Sequence, residues 1–417
     1  MGVVTFPNGV KLQVEEMSEL NTATVCVDLL GGVQSEPQLY NGMCEMIARL
    51  MLCGTKKYPT RAELLEHAKA FGLKVSVEAK TEFLQVKINC LSNRVNWAID
   101  FAHEILFESK FDKEVIEMIK VQMKAESKMA RLNPTTMLNI ISNQTLFART
   151  GLTNINQGNV RSIDRITKEK LLAQLERFLC PKNIVIAVGG AVDSEKVTEK
   201  VGELFYTHLE EPKYRQIKLV SHVNNDDGYI NIKKRKLNQA RAMLSFPSYS
   251  YKENENFAIQ ILGSLACEKI RQALLGENYF KSLTASNYCY ANNGKFSLNV
   301  AVDDDNAQEF IEKVIEELNN IKENSVITKE SFEAEKQSFI TNFVLINEQE
   351  DNLIEACAKE LLIKKKPYNL NEKYGILSGL TYEAAMKAFK KVINFSKINI
   401  AFLGSGINFS FLEKFVG

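Results

Sequence analysis

"NGMCEMIARLMLCGT", residues 41–55, decides how the first half of this chain is read. Met43, Met46, Ile47, Leu50 and Met51 recur at helical spacing and share an apolar face, and Gly54 with Thr55 ends the run in a turn. On the same helix Glu45 and Arg49 stand one turn apart, close enough to touch. Such a pair marks either a site or a solvated flank, and the surrounding sequence has to decide between them.

Working outward, strand-like and helix-like segments alternate. "TATVCVDLLGG" reads as a strand ending in glycines, and "TRAELLEHAKAFG" as a second helix with Thr60 as its cap and Gly72 as its stop. "LKVSVEAKTEFLQVKINCL" holds two alternating runs that predict adjacent sheet strands. A long helix is expected from Asp112 to about Leu132, where Asn-Pro stops it. "NIVIAVGGAV" then supplies a strand and a turn before a helix that starts near Asp193 or Ser194. After a polar stretch at residues 210–226 the same grammar recurs, and "INIAFLGSG" near the end echoes "IVIAVGGAV". Two similarly built α+β domains are expected, at 1–215 and 216–417, each a largely antiparallel sheet packed with helices.

Composition narrows the function classes. The 52 basic and 51 acidic side chains leave a formal charge of +1, which creates no general field for nucleic acid or an anionic membrane. No apolar stretch is long enough for a membrane span, and "MGVVTFPNGVKLQV" has no signal-peptide pattern. Eight cysteines are scattered without a CxxC pair and read as small buried side chains of a reducing compartment, so a cytoplasmic location is expected. The glycines of "AVGGAVDSE" and "FLGSGINFS" lack the spacing of a dinucleotide or phosphate loop, and no cofactor is called for.

Metal and nucleophile motifs are sparse. His67, His103, His208 and His222 are widely separated; "HEILF" at His103 begins like a zinc-peptidase helix but has Phe107 where a second histidine is needed. There is no serine elbow, and no cysteine has a histidine beside it in the local sequence.

The run "GMCEMIARLMLCGTKK", preceded by "NGVKLQV" and "VDLLGGVQSE" and followed by "AELLEHAKAFG", resembles the N-terminal region of the insulinase/pitrilysin family of inverted-motif zinc peptidases. "FDKEVIEMIKVQMKAE", "SIDRITKEKLLAQLERFLCPKNIVIAVGGAVD", "ILGSLACEKIRQALLG" and "NNGKFSLNVAVD" extend the resemblance, in order, over nearly the whole chain. It implies two family-type domains with a clamshell-type association that encloses unfolded peptides. In that family zinc is held by HxxEH on the first helix and by a glutamate on a later one. Registration through Gly42 and Gly54-Thr55 puts Glu45 at the first histidine position, Ala48 at the general-base position and Arg49 at the second histidine position, while Glu126, 77 positions beyond Arg49, matches the remote glutamate.

The chemistry of that set is poor for zinc. A guanidinium has no lone pair to offer a metal, and the methyl group of Ala48 can neither take nor return a proton. Arg49 between Glu45 and Glu126 makes better sense as a structural ion pair standing where the family places its metal. The resemblance also implies a division of labour between paired subunits, in which a zinc-less chain supplies an arginine and a tyrosine that hold substrate. Arg271 and Tyr279 in "KIRQALLGENY" are the candidates, one residue further apart than the family arrangement, so that Gln272 falls at the arginine position when Gly276 and Tyr279 are held in register. The expected function is a non-catalytic, zinc-less subunit of a processing-peptidase-like heterodimer, partnered by a homologous chain with intact HxxEH and acting on unstructured peptides. A homodimer, a peptide-binding or assembly protein without a catalytic partner, and a zinc endopeptidase with an unrecognised site are the alternatives.

Overall fold

In the computed structural model, residues 2–206, 215–221, 227–276, 280–324 and 326–414 are described. The strands are β1 (Gly2–Thr5), β2 (Lys11–Glu16), β3 (Thr22–Leu30), β4 (Lys74–Ala79), β5 (Phe83–Leu91), β6 (Ile184–Gly190), β7 (Ile230–Lys234), β8 (Gln239–Ser248), β9 (Phe280–Cys289), β10 (Gly294–Asp303) and β11 (Asn399–Gly404). The helices of the first half are α1 (Met43–Leu50), α2 (Arg61–Ala70), α3 (Val95–Phe107), α4 (Lys113–Leu132), α5 (Pro134–Leu146), α6 (Val160–Asp164), α7 (Lys168–Phe178) and α8 (Ser194–Val201). Those of the second half are α9 (Asn256–Ala273), α10 (Ala307–Glu323), α11 (Lys329–Asn347), α12 (Glu350–Lys364), α13 (Leu370–Ser378) and α14 (Tyr382–Val392).

Two mixed α+β domains result. One sheet has the order β1-β2-β6-β3-β5-β4, the other β7-β11-β8-β10-β9. With β1 set aside, both follow one permutation of their strands in chain order, first-fifth-second-fourth-third, and in both the first and fifth strands are the parallel pair while the other neighbours are antiparallel. The duplication that is faint in the residues is complete in the sheet topology.

Local chemistry explains the element ends. Thr60 and Glu63 form a reciprocal capping box at the start of α2, and Gly72 follows its end with a positive φ of 68°. Asn133 accepts from the backbone N–H groups of Thr135 and Thr136, so Pro134 both stops α4 and opens α5. Asp193, not Ser194, caps α8.

The compact units are interleaved along the chain. One comprises residues 1–128, 154–219 and 344–370, the other 129–153, 220–343 and 371–417. A division at 215/216 leaves α5 and α12 on the far side of the line from the sheets they cover. In the first unit, one sheet face carries Leu12, Val25, Val27, Leu84, Val86 and Ile186 into a core shared with α1, α3 and α7. Period-two alternation turns Gln13, Cys26, Asp28, Gln85 and Lys87 to the opposite face. There α12 packs over β6, β3 and β2. An added Cβ on Gly189 would lie 2.1 Å from the Ile354 side chain, so glycine lets that helix approach. Lys87 pairs with Glu355 at 2.5 Å and Asp351 at 3.4 Å.

The second unit repeats this arrangement. Leu244, Phe246, Phe296, Leu298 and Phe402 face a core with α9, α10 and α14, and α5 covers the other face of β11 and β8. Under α5 the hydroxyls of Ser142, Ser245 and Ser297 form a chain, and the Nζ of Lys295 donates to Oδ1 of Asn143 at 2.6 Å. Burial pushes the Lys295 ammonium down to about 7.

Asp28 lies wholly buried on the polar face of the first sheet, its Oδ1 accepting from Gln85 Nε2 at 3.0 Å. Burial pushes its carboxyl up to about 7, against the pull of the Gln85 and Cys26 hydrogen bonds. In the unfolded chain an aspartate ionises near pH ~3.9. Between those two values the folded state holds the extra proton, so this residue's contribution to stability falls as pH rises through the window and is constant above it. Asp28→Asn cannot ionise, and it is expected to melt near the wild type at pH ~4 and several degrees above it at pH ~8. Thermal melts across that range check this; a difference in Tm that does not change with pH contradicts it.

Candidate functional site

The first unit's candidate site is built from α1 and α4, and a buried acid positions both. Glu36, only 4% exposed, lies just before α1. Its carboxylate accepts from the Gly42 N–H at 2.8 Å, from the Cys44 N–H and from Asn41 Nδ2 at 2.7 Å. These are the donors that a helix N-terminus leaves unpaired, and an anion suits that end of the helix dipole. Burial raises the Glu36 carboxyl to about 7, opposed by the same three hydrogen bonds. Asn41 then exchanges hydrogen bonds with the backbone of Ile155, at 2.9 and 3.1 Å.

Two glycines bring the second helix in. Gly42 has a φ of 106°, and an added Cβ on Gly158 would lie 2.3 Å from the Asn41 carbonyl oxygen, so no side chain fits at this crossing. Ser127 of α4 donates its hydroxyl to the Gly158 carbonyl at 2.9 Å. The preceding residue, Glu126, is thereby set beside α1.

Arg49 occupies the space between the helices. Its Nε donates to Glu45 Oε1 at 2.7 Å, while Nη1 and Nη2 make a fork onto the two Glu126 oxygens at 3.0 and 2.6 Å. The side chains are 28%, 21% and 48% exposed for Arg49, Glu45 and Glu126, so the cluster is half-buried and solvent-screened. The Arg49 fork holds the Glu126 carboxyl below the usual carboxylate range, and the two acids hold Arg49 protonated above its own. Ala48, 3% exposed, presents a methyl group.

This set does not fit a zinc ion. Both carboxylates are engaged by a permanent cation, no nitrogen or sulfur donor joins them, and no basic side chain stands at the Ala48 position to activate a water. Among the described residues no cluster of three or more His, Cys, Asp or Glu side chains is placed to hold a metal. The zinc-dependent step that HxxEH performs is therefore not available here, and no step is derived through a metal.

The other candidates fall as follows. His67 accepts or donates at the Tyr58 hydroxyl, 2.9 Å away, and stacks on that ring. His103 packs against Phe107 and Phe205. Both are structural. His208, His222 and Tyr279 lie outside the described residues. Arg271 lines a cleft of about 420 Å³ in the second unit, between α9 and the edge strand β9. Gln260, Ser264, Thr284 and Asn287 give it polar walls, while Ile259, Leu283 and Phe339 give apolar ones. Gln272 instead pairs with Glu268 on the same helix at 2.8 Å and does not line the cleft. By strand order, α9 and β9 stand in this unit where α1 and β4 stand in the other.

Sequence reasoning missed Glu36 as the residue that positions the site. Its signal was present as an acid six residues before the Gly42 helix start, but its partners are set by the fold.

Metal analysis after dialysis is expected to find no stoichiometric zinc on the wild-type chain. Combining Glu45→His, Ala48→Glu and Arg49→His rebuilds HxxEH opposite Glu126 and is expected to bind one zinc, lost again on adding Glu126→Ala. Tight zinc on the wild type would contradict the ion-pair description.

Residues 13–155 match the family model "Insulinase (Peptidase family M16)", and residues 165–339 match "Peptidase M16 inactive domain". A probable mitochondrial-processing peptidase subunit beta of Arabidopsis thaliana is 28% identical over 203 residues, covering 49% of this chain and 38% of that one. A protein of Helicobacter pylori described as "Non-peptidase homolog YmxG" is 27% identical over 173 residues, 41% of this chain and 39% of that one. The matched stretches thus span about two fifths of either relative's length. Among solved structures, that of a protease from Helicobacter pylori superposes with a TM-score of 0.87 at 16% identity, covering 97% of this chain and 99% of the other. With the two models following one another along the chain and the family's fold in both units, the chain belongs to the insulinase/pitrilysin family, M16.

Proposed function

We propose that this chain is the non-catalytic member of a pair of homologous subunits, binding and orienting unstructured peptides for a sister chain that carries an intact HxxEH helix. The observation that carries this reading is the fork of Arg49 on Glu126, which neutralises the metal position while leaving the surrounding fold complete. Likeness to processing-peptidase subunits supports the pairing. The cleft beside β9 supports peptide binding: an extended segment can add to the edge strand while Arg271 receives a carboxylate or carbonyl. Eight free cysteines, six of them buried, support a reducing, cytoplasmic setting.

A subunit without a metal can still raise its partner's rate. Holding a peptide extended near the zinc removes part of the entropic barrier, with no proton transferred on this side. The test measures hydrolysis of unstructured peptides by this chain, by the sister, and by their mixture. The mixture is expected to exceed the sum of the parts by at least about tenfold, and to lose activity when the sister's zinc ligands are removed. Arg271→Ala in this chain is expected to raise KM roughly tenfold with a smaller change in kcat, the pattern of a lost charge-assisted contact. Cleavage by this chain alone, abolished by its own Glu126→Ala, would overturn the reading; a stable homodimer that ignores the sister would favour an assembly role.

A further inference from the structure

The two sheets share a strand order but differ at one margin. In the first unit β2 is flanked by β1, antiparallel, from Gly2 opposite Val14 to Thr5 opposite Lys11. Its counterpart β7 has β11 on one side and no described strand on the other. The Tyr229 carbonyl accepts from the Ile400 N–H, and the Arg235 N–H donates to the Gly404 carbonyl, both at 2.8 Å. Backbone groups of successive residues in a strand point to alternate sides, so residues 229, 231, 233 and 235 are turned to β11. The N–H and C=O groups of Ile230, Ile232 and Lys234 are turned to the other margin, where no strand lies among the described residues.

Side chains mark the same edge. Ile230 and Ile232 lie opposite Ile400 and Phe402, hence on the core face, yet remain 45% and 37% exposed. Leu12 and Val14, which hold the corresponding places on β2, are 0% and 8% exposed. Directly after the isoleucines comes Lys233-Lys234-Arg235-Lys236, and no described carboxylate forms an ion pair with any of the four. Lysines on a sheet edge discourage pairing with a neutral or basic strand. For an acidic strand they act in the opposite sense.

We propose that the open margin of β7 is a docking site for an extended acidic peptide segment, alternating apolar and carboxylate side chains, that adds to the sheet antiparallel to β7 as β1 adds to β2. The segment's apolar side chains cover Ile230 and Ile232. Its backbone satisfies the outward groups of residues 230, 232 and 234, and its carboxylates meet the basic run. This margin is the opposite edge of the sheet from β9, so it is separate from the cleft that holds Arg271.

The probe is a capped, fluorescein-labelled nonapeptide alternating glutamate and valine, titrated into the full chain by anisotropy, with a lysine-for-glutamate analogue and phosphatidylserine vesicles as controls. Saturable binding of the acidic peptide is expected, with slowed amide exchange at residues 230–234 and none at β9. Ile232→Pro deletes an outward N–H at an edge position where proline is tolerated, and is expected to weaken binding at least tenfold. Replacing Lys233, Lys234, Arg235 and Lys236 together by glutamine is expected to do the same; should the proline variant fail to fold, this variant and the exchange map decide. Absence of saturable binding, equal binding of the lysine analogue, protection at β9 instead, or vesicle binding through the four basic residues without peptide binding would each overturn the proposal.

Discussion

A single buried carboxylate sets the geometry of the first domain's site. Glu36 receives three donors where the chain turns into α1, and through Asn41 it ties that turn to the segment around Ile155. Without an anion in this position the first turn of α1 would bury unpaired N–H groups, each costing on the order of 1–3 kcal/mol. Because the same segment includes Gly158, to which α4 is pinned by Ser127, the spacing of the two helices follows from it. Arg49 and Glu126 meet because of an interaction in which neither takes part.

At the place that the family registration assigns to a metal, the chain supplies its own positive charge. A position flanked by acids needs positive charge if those acids are to stay ionised and half-buried, and Arg49 supplies it from within the chain. Its planar fork reproduces the directional demand of two oxygens on Glu126, which a lysine would meet only as a point charge. What is lost is chemistry: the guanidinium has no open coordination position, and Ala48 has no proton to move. Scaffold and reaction therefore separate at this site, with the first preserved.

Much of this was legible in the residues. The apolar stripe of α1, the Thr60 cap, the Asn-Pro junction after Leu132 and the pairing of β9 with β10 follow from local periods and capping chemistry. The Arg49 cluster was legible too, since Glu45 lies one turn away and the family registration places Glu126 opposite. Glu36 was not, because its role depends on Gly158, more than a hundred residues downstream. Nor was the exchange of α5 and α12 between units, because the identity of the sheet beneath each helix is a property of the assembled chain. The margin of β7 was not legible for the opposite reason: its isoleucines suit an ordinary strand, and only the assembled sheet order leaves them without a flanking strand among the described residues.

The exchange of α12 bears on how the protein is made. Every strand of the first sheet has been synthesised by Gly190, yet its polar face, with Gln13, Asp28 and Lys87, gains its cover only when residues 350–364 have left the ribosome. At elongation rates of roughly 5–20 residues per second, the interval is about ten to thirty seconds. During that time the nascent first unit holds a sheet finished on one side and bare on the other. The surface that α12 later covers is thus the part of the nascent first unit left open to solvent and to other chains in this interval.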